Sequence, residues 1–231
     1  MTVPLQRHDD IARPYGVPEH HVSVESRAKR LLDVVVAVIV LAVTAPLIAV
    51  IALLIAMTSP GAILFRQERL CLGGRRFLML KFRTMRMDAD ESLHRDYVLS
   101  MVRATPDGAK RAGAFKLVGD PRVTRIGALL RRTSLDELPQ FLNVLVGDMS
   151  VVGPRPPLPY EVEHYEDWQM ERLTARPGLT GLWQVSGRNR HSYVEMCRLD
   201  VQYLGSWSVP RDLWIIARTP WVMVRNSGRA G

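Results

Sequence analysis

The apolar positions of this chain fall into one long block and several short periodic runs. The block extends from Val34 to Met57, 24 residues without a charge and rich in Val, Ile, Leu and Ala. As a helix it would measure roughly 36 Å, enough for a transmembrane element. Pro46 divides it into halves of about 12 residues, roughly 18 Å each, and neither half could cross a ~30 Å hydrocarbon core alone. Basic residues flank both ends, with Arg27, Lys29 and Arg30 before the block and Arg66, Arg69, Arg75 and Arg76 after it. A span ordinarily shows a basic asymmetry between its two sides. A helix that enters, bends at Pro46 and returns to the same face satisfies both facts. An ordinary span with a tolerated proline kink satisfies the length equally well.

Beyond the block the periods shorten. Partial alternation through Ile63, Phe65, Phe77 and Met79, with Gly73-Gly74 between, predicts a β-hairpin over 62–82. Its second arm places Lys81 and Arg83 on one face, either a phosphate clamp or a solvated strand face. Residues 86–119 are weakly patterned; a helix is predicted near Asp88–Val102 and a turn at Thr105-Pro106-Asp107-Gly108. A short helix starts between Ile126 and Leu130, and another runs to about Leu145. Gly147 to Pro156 reads as a turn, a short apolar strand and a proline-rich loop whose two prolines restrict Arg155. A helix is predicted around Tyr160–Thr174. The segment from Arg176 to Arg188 carries three glycines able to let backbone approach a ligand closely. Helical spacing resumes at Tyr193–Tyr203. In the last part Trp207, Trp214 and Trp221 alternate with Arg211, Arg218 and Arg225, a pattern of the membrane interface or of a core helix. The predicted fold class is α+β, mostly helical with a few short strands.

Composition narrows the partners. The chain has 231 residues and a net charge of +8, with a pI near 10.0. That balance suits anionic partners: phosphorylated substrates, anionic lipid or nucleic acid. Cys71 and Cys197 form no disulfide framework and no metal pattern, consistent with a reducing compartment. Residues 1–26, with Pro4, Pro14 and Pro18 and no apolar periodicity, predict a flexible tail without a cleavable signal. The six histidines (His8, His20, His21, His94, His164 and His191) match no metal spacing and read as solvated or structural.

The chemistry concentrates at Ser134-Leu135-Asp136-Glu137-Leu138-Pro139-Gln140. Ser134 with Glu137 three residues later matches a capping box ahead of an apolar run, which would place Asp136 and Glu137 at the positive end of a helix dipole. Pro139 complicates that start. Arg122, Arg125, Arg131, Arg132 and Arg155 surround the stretch in sequence. Acids for a metal or a nucleophile, with arginines for phosphate oxygens, equip a site for phosphoryl transfer. A capped helix whose Glu137 only closes the box is the structural alternative.

Taken in order, Lys29-Arg30-x-x-Asp33, Lys81-Phe82-Arg83-Thr84-Met85, Leu135-Asp136-Glu137-Leu138-Pro139-Gln140, Gly147-Asp148-Met149-Ser150, Val152-Gly153-Pro154-Arg155-Pro156 and Arg176-Pro177-Gly178-Leu179-Thr180-Gly181 resemble the bacterial sugar transferases, the monotopic polyprenyl-phosphate phosphoglycosyl transferases, in their minimal form. The resemblance covers about residues 27–225. It implies transfer of a sugar 1-phosphate from a UDP-sugar to polyprenyl (undecaprenyl) phosphate, with release of UMP and use of Mg2+, as the first membrane step of a glycoconjugate or exopolysaccharide pathway. It implies that Asp136 is the nucleophile forming a covalent intermediate, with Glu137 beside it and both as metal ligands. Arg131 and Arg155 match the family's phosphate-binding arginines; Lys81, Arg83, Arg176 and Arg188 join them as candidate substrate-binding residues. It further implies a re-entrant helix bent at Pro46, interfacial amphipathic helices, and a location on the cytoplasmic face of the bacterial inner membrane. The domains that follow are a tail at 1–26, the re-entrant helix at 27–58, a catalytic domain at 59–225 and a tail at 226–231. One departure is Ala45 before Pro46, where some members carry serine; the bend then relies on the proline or on Thr44.

Two other readings compete. A non-enzymatic membrane protein binding anionic or polyprenyl lipids would use the same basic face. A membrane-tethered nucleic-acid binder rests on pI alone and lacks any recognition-helix, zinc or aromatic-platform signature, so no nucleic-acid partner is expected.

Overall fold

The computed structural model describes residues 15–17, 24, 26–86, 92–103, 120, 122–187 and 191–226. Most of the expected N-terminal tail, the turn expected at 105–108, Arg188 and residues 227–231 lie outside the described residues.

Helix α1 spans Arg27–Thr58 and is continuous through Pro46. Ser26 starts it, its Oγ accepting from the Lys29 amide at 3.1 Å, an N-cap of the common kind. Proline at 46 removes the bond to the carbonyl of Ala42. The Thr44 hydroxyl donates to Val40 O at 2.7 Å, so it does not serve the freed carbonyl. Among the described residues α1 is the one helix long and apolar enough to cross a membrane. Its middle is bare: Val38, Ile39, Val43, Leu47 and Val50 are all exposed.

Both ends of α1, by contrast, are fastened to the rest of the chain. At the N-terminal end the Arg30 guanidinium donates to Val144 O and Leu145 O at 2.6 and 2.7 Å, two carbonyls in the last turn of helix α4 (Gln140–Val146). Asp33 Oδ1 accepts from the Val151 amide and the Ser150 hydroxyl at 2.9 and 3.0 Å. Lys29 lies 3.0 Å from both Asp33 and Asp212. At the other end Ile51 and Ile55 are buried against Phe82 and Leu130.

The hairpin forms as the alternation predicts. Strands β1 (Leu64–Leu70) and β2 (Arg76–Phe82) pair antiparallel, Leu64 opposite Phe82 and Leu70 opposite Arg76. Gly73 and Gly74 supply the turn at φ 71° and 76°, angles costly for other residues. Asn143 of α4 docks on the edge of β2, accepting from Leu80 N and donating to Leu78 O.

Helix α2 covers Ser92–Arg103 and α3 covers Arg125–Thr133. Strands β3 (Ser150–Val152) and β4 (Gly178–Thr180) pair parallel. A Cβ on Gly178 would stand 2.1 Å from Gly153 N, and one on Gly181 2.6 Å from Gly153 O. These glycines therefore let two backbone segments touch. The single helix expected over 160–174 is instead α5 (Pro159–Val162), α6 (Asp167–Met170) and a 3-10 turn at Glu171–Thr174. A capping box between Glu166 and Gln169 restarts the helix there. Helix α7 is Leu182–Val185, α8 is Tyr193–Gly205 and α9 is Val209–Asn226. The main core gathers β2, α4, β3, α8 and α9 around Met79, Val144, Met149, Val152, Tyr203 and Ile215.

Candidate active site

The two acids stand on a tight connection between α3 and α4. Ser134 is the C-terminal cap of α3, left-handed at φ 57°, its amide bonded to Arg131 O. A 3-10 turn over Leu135–Glu137 follows, and Pro139 opens α4. The expected capping box is therefore absent: the Ser134 side chain caps nothing. The physical reason is that α3 claims Ser134 as its own terminus, with Arg131 and Arg132 in its last turn complementing the carbonyl end. The acids precede α4 by several residues rather than capping it.

What holds the turn is its alternate side chains. Leu135 and Leu138 pack on the cluster of Ile51, Ile55, Phe82 and Leu130, which ties the turn to the second half of α1. Asp136 is buried and Glu137 half-buried. Lys81 faces Glu137 across 3.7 Å. Arg131 reaches the turn from α3, its Nε donating to the Thr84 hydroxyl at 2.8 Å. Burial depresses the Arg131 guanidinium while the Asp136 and Asp120 carboxylates support its charge. Thr84 is itself locked: its carbonyl accepts from the Thr124 amide, and a Cβ on Gly127 would lie 2.1 Å from that oxygen. So Asp136, Glu137, Lys81 and Arg131 come together, with Thr84 behind the arginine.

Three other candidate cations among the described residues go elsewhere. Arg83 is buried and donates to Ser59 O and Pro60 O at 2.6 and 2.8 Å; alternation does not keep it with Lys81, because it lies just beyond β2, where the chain leaving α1 offers two unpaired carbonyls. Arg176 Nε donates to Gly147 O at 2.8 Å. Arg155 sits over a buried network. Its Nη1 meets both Glu161 oxygens at 3.0 and 3.2 Å, and its amide donates to Asp200. Arg172 binds Asp200 at 2.9 Å, and Arg69 lies 3.9 Å from Glu161. Burial and the neighbouring Arg155 charge push Arg69 down to about 10. Burial works against the Glu161 carboxylate, yet Arg155, Arg69 and Arg172 hold it below its ordinary range. Thr84 lies inside a motif visible in the sequence; Glu161, six residues after Arg155, carries no signal by itself.

Among the described residues no group of three or more metal-ligating side chains is present. Asp136 and Glu137 fit a hard cation nonetheless, since magnesium is commonly held by one or two carboxylates together with substrate phosphates. Glu137 and Ser134 also line a cavity of about 350 Å³ whose other walls come from α1, α4, α7 and α9 and from strands β3 and β4.

Paired acids with a lysine and a half-buried arginine, fixed against an apolar helix, suit a membrane-associated enzyme acting on an anionic group. The chain belongs to the bacterial sugar transferase family, whose model matches residues 24–226. It is 42% identical over 210 residues to the exopolysaccharide production protein ExoY of Rhizobium meliloti, covering 89% of this chain and 91% of that one. It is 46% identical over 215 residues to a UDP-glucose:undecaprenyl-phosphate glucose-1-phosphate transferase of Caulobacter vibrioides, covering 90% and 73%. An undecaprenyl-phosphate galactose phosphotransferase of Salmonella typhimurium is 40% identical over 201 residues, 87% of this chain and 41% of that one.

Proposed function

We propose that the protein transfers a sugar 1-phosphate from a UDP-sugar to polyprenyl phosphate, releasing UMP, at the cytoplasmic face of a bacterial inner membrane. The observation carrying this is the joined geometry of Asp136, Glu137, Lys81 and Arg131 on a turn packed against α1, in a chain closely similar to named transferases of this kind. An Asp136 carboxylate oxygen attacks the sugar-bearing phosphorus of the UDP-sugar. The bond to UMP breaks, leaving an acyl phosphate. A phosphate oxygen of the lipid then attacks the same phosphorus, and Asp136 departs as carboxylate. Arg131 and Lys81 offset the charge that builds on the phosphoryl oxygens. Asp136 and Glu137 would hold Mg2+, which when bound supplies further neutralisation of the diphosphate.

The test is a panel of UDP-sugars assayed for UMP release with and without undecaprenyl phosphate, which also identifies the sugar. Release that ignores every UDP-sugar, or that never responds to the lipid, overturns the reading and favours a lipid-binding protein.

The re-entrant course of α1 belongs to the same proposal. A straight helix of this length, roughly 48 Å, would carry its ends to opposite sides of a ~30 Å core. Support for a return comes from the packing of Lys29, Arg30 and Asp33 at one end, and of Ile51 and Ile55 at the other, on one body of protein. Cysteines at the exposed positions Ala28 and Ala62 are expected to label from the same side of the membrane; both native thiols are buried. Labelling from opposite sides removes the re-entrant course.

A further inference from the structure

Tyr15, Gly16 and Val17 precede the span that the family model matches, residues 24–226, yet they pack onto the body of the protein. Val17 is buried in a cluster with Leu70, Val162 and Leu173, and Tyr15 lies at its edge. The Tyr15 ring rests on the hairpin turn, where a Cβ on Gly74 would stand 3.0 Å from its Cδ2. Gly16, between the two, is left-handed at φ 61°, a conformation that strains other residues.

The three residues beneath Val17 share a property. Each follows a charged member of the Arg155 network in sequence: Leu70 follows Arg69, Val162 follows Glu161, and Leu173 follows Arg172. All three charged residues are themselves buried. Together these pairs hold the loop that carries Arg155. The Arg155 carbonyl accepts from Arg172 Nη2 at 3.1 Å, the Pro156 carbonyl from Arg69 Nη1 at 2.8 Å, and the Pro157 carbonyl from the Leu70 amide at 3.0 Å. Glu161 takes the Arg155 guanidinium itself. The apolar layer under Val17 is thus the back of the mount whose front is Arg155. Neighbours on one backbone move together, so a shift at that layer reaches Arg155 by three routes at once. Covering apolar surface alone would call for no such correspondence.

We propose that residues 15–17 form a clasp that positions Arg155 toward the phosphates of the UDP-sugar, with Tyr15 and Val17 as positioning residues. The inference rests on the function proposed above, with Arg155 among the groups that meet the nucleotide sugar. With the clasp seated, the pairs at 69–70, 161–162 and 172–173 keep their register and the guanidinium its place. With it displaced, the guanidinium drifts, and a small misplacement of a binding group lowers its effect steeply.

The test uses the full-length protein in nanodiscs. Val17→Asp puts a charge into the apolar layer. Gly16→Val keeps every buried side chain but resists the left-handed bend. Both should raise the KM for the UDP-sugar about 5-fold or more and leave the KM for undecaprenyl phosphate unchanged. Val17→Ile, which refills the layer, should keep both wild-type values. Hydrogen exchange in the Val17→Asp protein should rise in peptides covering 69–76 and 153–162 and stay level in 134–146. In an Arg155→Lys background Val17→Asp should add less than about 2-fold, because two changes acting through one side chain are not additive. A lower melting point with both KM values intact would make the segment merely structural and overturn the clasp. So would exchange that rises everywhere or nowhere, or full additivity with Arg155→Lys. The exchange measurement needs no turnover, so failure of the function reading is separate: wild-type protein would then show no lipid-dependent UMP release.

Discussion

The turn carrying Asp136 and Glu137 and the cluster around Glu161 both bring carboxylates to arginines, but they use the charges differently. In the cluster each acid is held by several short bonds. Glu161 accepts from Arg155 and from the Tyr193 hydroxyl, and Asp200 Oδ2 accepts from the Arg155 amide and from Arg172. At the turn the ion pair of Glu137 with Lys81 spans 3.7 Å, longer than a hydrogen bond. Tight, buried pairing makes a framework, because a buried charge without its partner is costly. The reaction proposed above uses the turn, and the cluster is the mount on which Arg155 is carried.

Substitutions can break this division. Asp136→Asn keeps the shape and removes the nucleophile, so UMP release should fall on the order of 10³-fold or more. Incubation of wild-type protein with UDP-sugar and no lipid should leave a sugar-phosphate adduct on the Asp136 peptide, visible by mass spectrometry and absent from the variant. A variant that still turns over would replace the covalent route by direct transfer. Arg172→Met should act on the fold instead. It strands Asp200 in a buried site, at a cost of about 3–5 kcal/mol, read as a lower denaturation midpoint in detergent. An unchanged midpoint would mean the cluster is not the framework argued here.

Thr84 sharpens the comparison from the other side. It accepts from Arg131 Nε, and the Arg131 charge in turn interacts with Asp136, so it is a positioning residue. Thr84→Val should raise the KM for the UDP-sugar about 10-fold, the scale of one lost charged hydrogen bond, with the melting point nearly unchanged. Thr84→Ser should restore the KM. A loss of stability without a change in KM would make Thr84 merely structural.

Much of this was legible from sequence, and the misses have physical causes. The hairpin, α3, α8 and the short strand after Gly147 follow from period and turn chemistry. The acidic turn was found, but its local structure was misread: Ser134-x-x-Glu137 spells a capping box only if no helix already ends at Ser134. Arg83 leaves the face of Lys81 because a strand pattern gives the face of a side chain and not what lies beyond the strand end. The basic flanks of α1 illustrate the same limit. Read as charges facing a membrane surface, several turn inward: Lys29 to Asp33 and Asp212, Arg30 to two carbonyls, Arg69 to Pro156 O, Arg75 to Asp148. Their pairing depends on contacts more than a hundred residues apart in some cases, which no local pattern encodes. The packing of both ends of α1 on one body supports the same topology for a different reason.

The smallest expected effect separates the two acids inside the cluster by pH. Burial raises Asp200 from its ordinary value to about 6, against the pull of Arg172. Its contribution to stability is therefore complete below its unfolded value near 3.8 and is lost as pH rises through about 6. Glu161, held low by its arginines despite burial, has the opposite sign: its contribution is present above its unfolded value of 4.5 and is lost as pH falls. Between pH 4.5 and 6.5 the Glu161 contribution is already in place, while that of Asp200 falls. Asp200→Asn removes the falling contribution, so the melting temperature of the variant should drop less with rising pH than that of the wild type. The slopes should differ by a few degrees over the interval, since ~1 kcal/mol moves Tm by about 2–4 °C in a chain of this size. Parallel curves would show that Arg172 keeps Asp200 ionised throughout, and the cluster would then titrate through Glu161 alone.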